Sequence, residues 1–203
     1  MLTIWGRLNS HNVKKVAWLA DEISLDSQRI DVGGPFGMDV EYLAKNPNAL
    51  IPTIEDGKVT LWESNAILRY LAAEYGGDRW WPADAATRAI ADRWLDWQFT
   101  YADAQRDAFK QLVRTPEDQR DPARIAASVG NCLPLLAIVE RYLGETPWLS
   151  GVDFGIGDIP MGVYAYTWFN LPIERPEFPA IAEWYQRLSI RPAFREQVAI
   201  PLT

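Results

Sequence analysis

Cysteine and histidine are almost missing from this chain: Cys132 and His11 are its only examples in 203 residues. A single thiol excludes an internal disulfide and fits a reducing compartment. Without grouped Cys and His there is no ligand set for a metal ion, and no metal is expected. Positive charge is also scarce. Lys and Arg number 20 against 27 Asp and Glu, a net charge of −7, which argues against nucleic acid or an anionic membrane surface as the main partner. No uninterrupted apolar run approaches the ~20 residues of a spanning helix. Nor is there a basic-then-apolar leader, so the cytoplasm is the expected compartment. Gly33-Gly34-Pro35-Phe36-Gly37 is glycine-rich, yet no Lys-Ser or Lys-Thr follows it and no long helix opens there, which excludes a phosphate cradle. Internal repeats and low-complexity segments are absent too.

Large apolar surface, by contrast, is plentiful. Hydrophobic residues make up 48% of the chain, charged ones 23%, and ten are Trp, a soluble globular composition with heavy aromatic surfaces for a core or interface. The length allows one large domain or two small ones. The N-terminal part alternates strand and helix: a strand over Leu2 to Trp5, a helix from about Asn12 to Ile23 and a strand over Gln28 to Val32. A short helix follows from Asp39 or Val40 to Lys45, then strands at Thr53 to Glu55 and Val59 to Trp62, joined by the tight-turn pair Asp56-Gly57. A helix with Ser64 as its N-cap completes the order. This spells a four-stranded mixed sheet with helices on its faces, closing near Gly76-Gly77.

Residues 78–85 (DRWWPADA) read as a linker, giving domains of 1–77 and 86–203. Nothing beyond the linker reads as strand, so the second domain is all-helical. Ile90, Trp94, Trp97, Tyr101, Ala104, Ala108 and Leu112 mark one face of a long helix. A second helix from about Ala123 to Leu143 contains Pro134, which should bend it or split it near Gly130 to Leu133. Shorter helices are expected from about Ile156 to Phe169, Ala180 to Ser189 and Ala193 to Val198.

Two stretches carry chemistry. Pro52 cannot donate to a ladder and belongs at the start or edge of its strand. With a cis bond before it, Ile51 would offer its N–H and C=O to the backbone of a ligand. Glu63-Ser64 sets a carboxylate beside a hydroxyl and free helical N–H groups. Such a pair suits a zwitterion, Ser64 taking its carboxylate and Glu63 its ammonium. The other stretch follows the first strand, where Ser10 can point a hydroxyl across a helix N-terminus. A thiol bound there would meet a hydrogen-bond donor and the positive end of a dipole, both of which favour thiolate. Alternatively Ser10, Asn9 or Asn12 merely caps that helix.

Together these residues resemble the glutathione transferase superfamily over nearly the whole chain. Ser10 to Val16 is similar to its serine-type classes, related to theta, phi and nu members. Asn46 to Pro52 matches its Asn-Pro-x-x-x-[Ile/Val]-Pro segment, and Glu63-Ser64 its pair for the γ-glutamyl end. Near Phe154, Gly155 to Ile159 resembles its capping segment, with Gly155 in place of the usual hydroxyl residue and Asp158 as the remaining partner. Ala49 stands where many members carry Gly.

The resemblance implies a thioredoxin-like first domain, an all-helical second one and a cytoplasmic detoxifying homodimer with glutathione as co-substrate. Ser10, or else Asn9 or Asn12, is its implied catalytic residue. Ile51, Pro52, Glu63 and Ser64 would bind glutathione, with Lys45 or Arg7 at the glycyl carboxylate. A small hydrophobic electrophile would lie between the domains against Trp94, Trp97, Tyr101 and Trp168. Two other activities stay open: glutathione-dependent disulfide or peroxide reduction, and a non-catalytic binding module. Cys132 is expected to be a buried hydrophobe, His11 a solvent-facing first-turn residue, and the pairs Asp92-Asp96 and Asp103-Asp107 solvated faces.

Overall fold

Strand β1 (Leu2–Trp5) lies inside the sheet of this protein, described over residues 1–203 by a computed structural model. Its Leu2 and Ile4 are buried, the alternation a half-covered strand requires. It pairs in parallel with β2 (Ser27–Ile30) and antiparallel with β3 (Thr53–Asp56). β4 (Val59–Trp62) closes the order β2-β1-β3-β4. A parallel pair needs a crossover, and α1 (His11–Glu22) provides it. Between β3 and β4, Gly57 takes the left-handed turn position at φ +58°, where a side chain would be strained.

Three further helices complete the N-terminal stretch. Asp39 caps α2 (Val40–Lys45), accepting from the Tyr42 N–H at 2.8 Å. α3 (Ser64–Tyr75) buries Ile67, Leu68, Leu71 and Ala72. A helical turn, α4 (Gly77–Trp80), occupies part of the stretch read as linker. The chain divides into two units. Met1–Arg88 and Pro192–Ile200 form one, Ala89–Arg191 and Pro201–Thr203 the other. Where the sequence reading kept residues 86–203 together, packing returns the last helix to the first unit: on it, Phe194 meets Trp18 edge-on at 5.0 Å, and Gln197 donates to Asp21 at 2.7 Å.

From Ala89 onward α5 (Ala85–Phe109) belongs to the second unit, and it runs on into a wider helical turn, Lys110–Arg114. Its buried face holds Trp94, Leu95, Gln98, Tyr101 and Gln105, so the expected apolar face is rotated: Ile90 is exposed. Asp121 caps α6 (Pro122–Glu145), accepting from Ala123 and Arg124. Pro134 does not split this helix. A helical proline leaves the carbonyl four residues back without its N–H partner, and here that carbonyl belongs to Gly130 on the exposed face, where water can take it. By length and composition α6 is apolar enough to cross a membrane, with a window hydropathy of 1.5; its buried residues Ser128, Cys132, Leu136, Val139 and Leu143 recur at helical spacing and form one face. Glu140 caps α8 (Pro179–Ser189), accepting from Ala180 and Ile181 at 2.9 Å each.

α7 (Asp158–Asn170) is buried on nearly every side of its first three turns. Asp158, wholly buried, accepts from the N–H groups of Leu149 at 2.8 Å, Ser150 at 3.2 Å and Gly155 at 3.1 Å, and from the Trp184 indole at 2.8 Å. The hydroxyl that Gly155 lacks is supplied from a distance, since Ser150 Oγ accepts from the Gly157 N–H at 3.0 Å. A Cβ on residue 155 would stand 3.0 Å from that same oxygen. Burial pushes the Asp158 carboxyl up despite these bonds, a compensated but costly charge.

Candidate functional site

The first unit gathers most of the chemistry-bearing residues around one cavity of about 70 Å³. Its walls are Asn12 from the first turn of α1, the loop residues Asn46, Asn48, Leu50, Ile51 and Pro52, and Glu63-Ser64 at the head of α3. That volume suits one polar end group, since a water molecule takes roughly 30 Å³ of liquid. The loop wall is built from inside. Buried Asn46 donates to Leu50 C=O at 2.9 Å and Thr53 Oγ1 at 3.1 Å, and accepts from the Asn48 N–H at 3.0 Å. Tyr42 adds its hydroxyl to the same Leu50 carbonyl at 2.5 Å. Ala49 sits at φ +53° and the Ile51–Pro52 bond is cis. None of these anchoring bonds uses the backbone of Ile51.

At the opposite wall Glu63 is exposed, at φ +74° and ψ 106°, a conformation costing of order 1–3 kcal/mol for a residue with a side chain. It occupies the cap position of α3 without a side-chain cap bond. Ser64 is therefore the first helical residue rather than the cap, a correction of the sequence reading. Its hydroxyl stays off its own helix, 3.3 Å from Asn12 Oδ1 and 3.2 Å from Lys15 Nζ. The first N–H groups of α3, which have no partner within the helix itself, lie beside it, a seat for an anion.

Ser10 is the N-cap of α1, with φ −82° and ψ 129°, but its side chain makes no cap hydrogen bond. The capping role left open by the sequence is thus not taken up, and Ser10 lies outside the cavity walls, where Asn12 is found instead. Asn9 accepts from Arg7 Nη1. Arg7 backs on to Gly34, where an added Cβ would come within 2.8 Å of its Nε, and that Nε is buried without an acceptor. Lys45 is already engaged, with Glu55 at 2.9 Å, Glu41 at 3.6 Å and the Trp5 ring 5.2 Å away.

The four aromatics expected to share one wall do not come together. Trp94 and Trp97 line a cavity of about 340 Å³ with Arg93, Ile138 and Tyr142, whereas Trp168 lines another of about 360 Å³ with Phe169 and Phe178. Tyr101 is fully buried against Gln105. Cys132 is buried and its thiol is pushed up to about 12, a packed hydrophobe rather than a nucleophile. Asp103 pairs with Arg106 at 2.7 Å and Asp107 with Arg124 at 2.9 Å. The sequence did not single out Asn46, Asn48 and Leu50 in the walls, nor Tyr42 and Lys15 behind them. The Asn-Pro turn signalled the first; for a buried lysine the only signal was its place on the apolar side of α1.

Residues 1–73 match the model of the glutathione S-transferase N-terminal domain family. Glutathione S-transferase GstB of Escherichia coli K12 is 44% identical over 208 residues, with both chains covered in full. The theta-class glutathione S-transferase of Xanthomonas axonopodis pv. citri, solved with glutathione bound, is 49% identical at a TM-score of 0.96, covering 100% of this chain and 99% of that one. A more distant relative, the disulfide-bond oxidoreductase YfcG of E. coli K12, is 28% identical over 90% of this chain and 87% of its own. This chain belongs to the glutathione S-transferase family.

Proposed function

We propose that the protein is an enzyme that binds glutathione along the Asn46–Ser64 wall and delivers its thiolate to a small hydrophobic electrophile. The observation that carries this reading is the single cavity joining Ile51-Pro52 to Glu63-Ser64. Ser64 and the N-terminus of α3 take the γ-glutamyl carboxylate, and Glu63 takes its ammonium. The cysteinyl backbone lies along Ile51. Ser10, with its hydroxyl unused by the helix it caps, donates to the sulfur, and Asn12 is the alternative donor. A thiol near pKa 8.5 needs a shift of about two units to be mostly ionised at neutral pH, roughly 2.7 kcal/mol, within reach of one charge-assisted hydrogen bond and a helix end. For the glycyl carboxylate, Arg7 is the stronger of the two candidates, because Lys45 is held by Glu55 and Glu41.

Support for a cytoplasmic homodimer comes from the family resemblance; Trp94 and Trp97 are retained as candidate electrophile contacts. The test is steady-state conjugation of glutathione to an aromatic halide, with thiol-difference absorbance of the bound complex. Turnover together with thiolate at neutral pH supports the reading, and binding without thiolate sinks it in favour of a binding module. A second reading, disulfide reduction, draws on the likeness to the oxidoreductase and on Asn12 rather than Ser10 lining the cavity. Turnover of hydroxyethyl disulfide exceeding that of aromatic halides would favour it.

A further inference from the structure

Within the second unit, the loop between α7 and α8 carries the stretch Arg175-Pro176-Glu177-Phe178-Pro179. Each proline fixes its own φ and pushes the residue before it toward an extended conformation; Phe178, ahead of Pro179, sits at φ −129° and ψ 84°. In an extended stretch, residues two apart share a side. Arg175 and Glu177 do so here, and both line the cavity of about 360 Å³. The rest of that wall is apolar, and much of it aromatic. Trp168 and Ile181 are buried at 2% exposure each, and Phe169 is braced by stacking on Tyr185, with ring centroids 4.4 Å apart. Phe178 supplies a third ring.

The charges on this wall are unspent. A guanidinium has five N–H donors. Arg175 uses Nη2 to hold the Leu171 carbonyl at 2.6 Å, while its Nε is buried without an acceptor. Glu177 is exposed and forms no ion pair with Arg175. The first N–H groups of α8 are already taken, since Ala180 and Ile181 donate to Glu140, which leaves the guanidinium as the cavity's contact for an anion. One cation and one carboxylate on an aromatic wall match a zwitterion with a flat apolar side chain. We propose that this cavity binds a free aromatic α-amino acid, its carboxylate on Arg175, its ammonium on Glu177 and its ring among Trp168, Phe169 and Phe178. A volume of about 360 Å³ stands at the small end of the pockets that take such ligands. Both charged ends are needed, which selects a free amino acid over a peptide terminus. No thiol, hydroxyl or imidazole lines the cavity, so the ligand is held and not transformed. The site shares no residue with the cavity of the first unit and does not rest on the glutathione reading.

Titration calorimetry of the whole protein with L-tryptophan reads the site directly, with one molecule expected per chain and a Kd on the order of 0.1 mM. Tryptamine, which lacks the carboxylate, should bind about tenfold or more weakly. N-acetyltryptophan, which lacks the ammonium, should lose about three- to fivefold, the smaller effect of an exposed pair. Arg175→Gln is expected to weaken tryptophan about tenfold or more. Glu177→Gln should abolish the preference for tryptophan over N-acetyltryptophan, a change that a merely structural role would not produce. The proposal is overturned by no saturable binding of tryptophan up to about 10 mM, or by either analogue binding as tightly as tryptophan. Affinity unchanged in Arg175→Gln, or a preference unchanged in Glu177→Gln, overturns it equally. Should Arg175→Gln fail to fold for want of its bond to Leu171, the three ligands on the wild type decide.

Discussion

Each of the two units has one ionisable Lys, Arg, Asp or Glu side chain with no exposure at all, and the two are handled in opposite ways. Asp158 in the second unit is met by three backbone N–H groups and an indole between 2.8 and 3.2 Å, so its charge is consumed in holding a loop to a helix. Lys15 in the first unit shares protons with two neutral oxygens at 3.2 Å and stands behind a cavity. A buried charge saturated by its own chain is architecture. One bonded to the hydroxyl at the head of α3, beside a cavity, helps to build the site.

Removing the saturated charge should have the largest effect. Asp158→Ala strands three N–H groups and the Trp184 indole in the interior, and a loss of about 3–5 kcal/mol is expected, read as a large drop in thermal midpoint. Retained stability would mean that these bonds are replaced by water. Ser64→Ala should invert that pattern, with glutathione affinity falling about thirtyfold and the thermal midpoint almost unmoved. A stability loss as large as that of Asp158→Ala would place Ser64 with the architecture instead.

How much of this could be read beforehand differs between the units. The hairpin, the α3 head and the turn before Pro52 were legible because each depends on local chemistry: Asp56-Gly57 for the turn, Asn46-Pro47 before the loop, and a change of apolar period after Trp62. The role of Ser64 was misjudged by one residue because Glu63 adopts a positive φ, which no composition rule for a non-glycine residue announces. In the second unit, Trp94, Tyr101 and Trp168 share a residue class but not a surroundings, and periodicity cannot tell a cavity wall from a core. Pro134 was expected to bend or split α6, and it does not split it. Its place on the exposed face, with Gly130 exposed four residues earlier, leaves the carbonyl without its helical partner open to water, which a pattern of apolar residues alone does not reveal.

A smaller effect is expected at the sulfur. Ser10→Ala should lower turnover about tenfold, near 1.4 kcal/mol, with little change in KM. A larger loss for Asn12→Ala would transfer the sulfur contact to the residue that lines the cavity. A further effect is on stability against pH. Burial lowers Lys15 to about 7 and Lys14, bonded to the Val198 carbonyl at 2.8 Å, to about 8. Both are below the unfolded value of 10.5. Between these limits the unfolded chain binds more protons, so stability rises with pH, by at most about 1.4 kcal/mol per pH unit for each group. Melting curves from pH 7 to 9 should show this rise, flattened in Lys14→Met. A fall over that range would contradict the lowered values.

The central claim is that the cavity between the Ile51 loop and α3 seats the γ-glutamyl end of glutathione. A crystal of the protein grown with S-methylglutathione tests it most directly. The ligand's α-carboxylate should lie within hydrogen-bond distance of Ser64 Oγ and the first N–H groups of α3, with its ammonium against Glu63. A well-ordered ligand elsewhere, its carboxylate away from Ser64, would contradict the account.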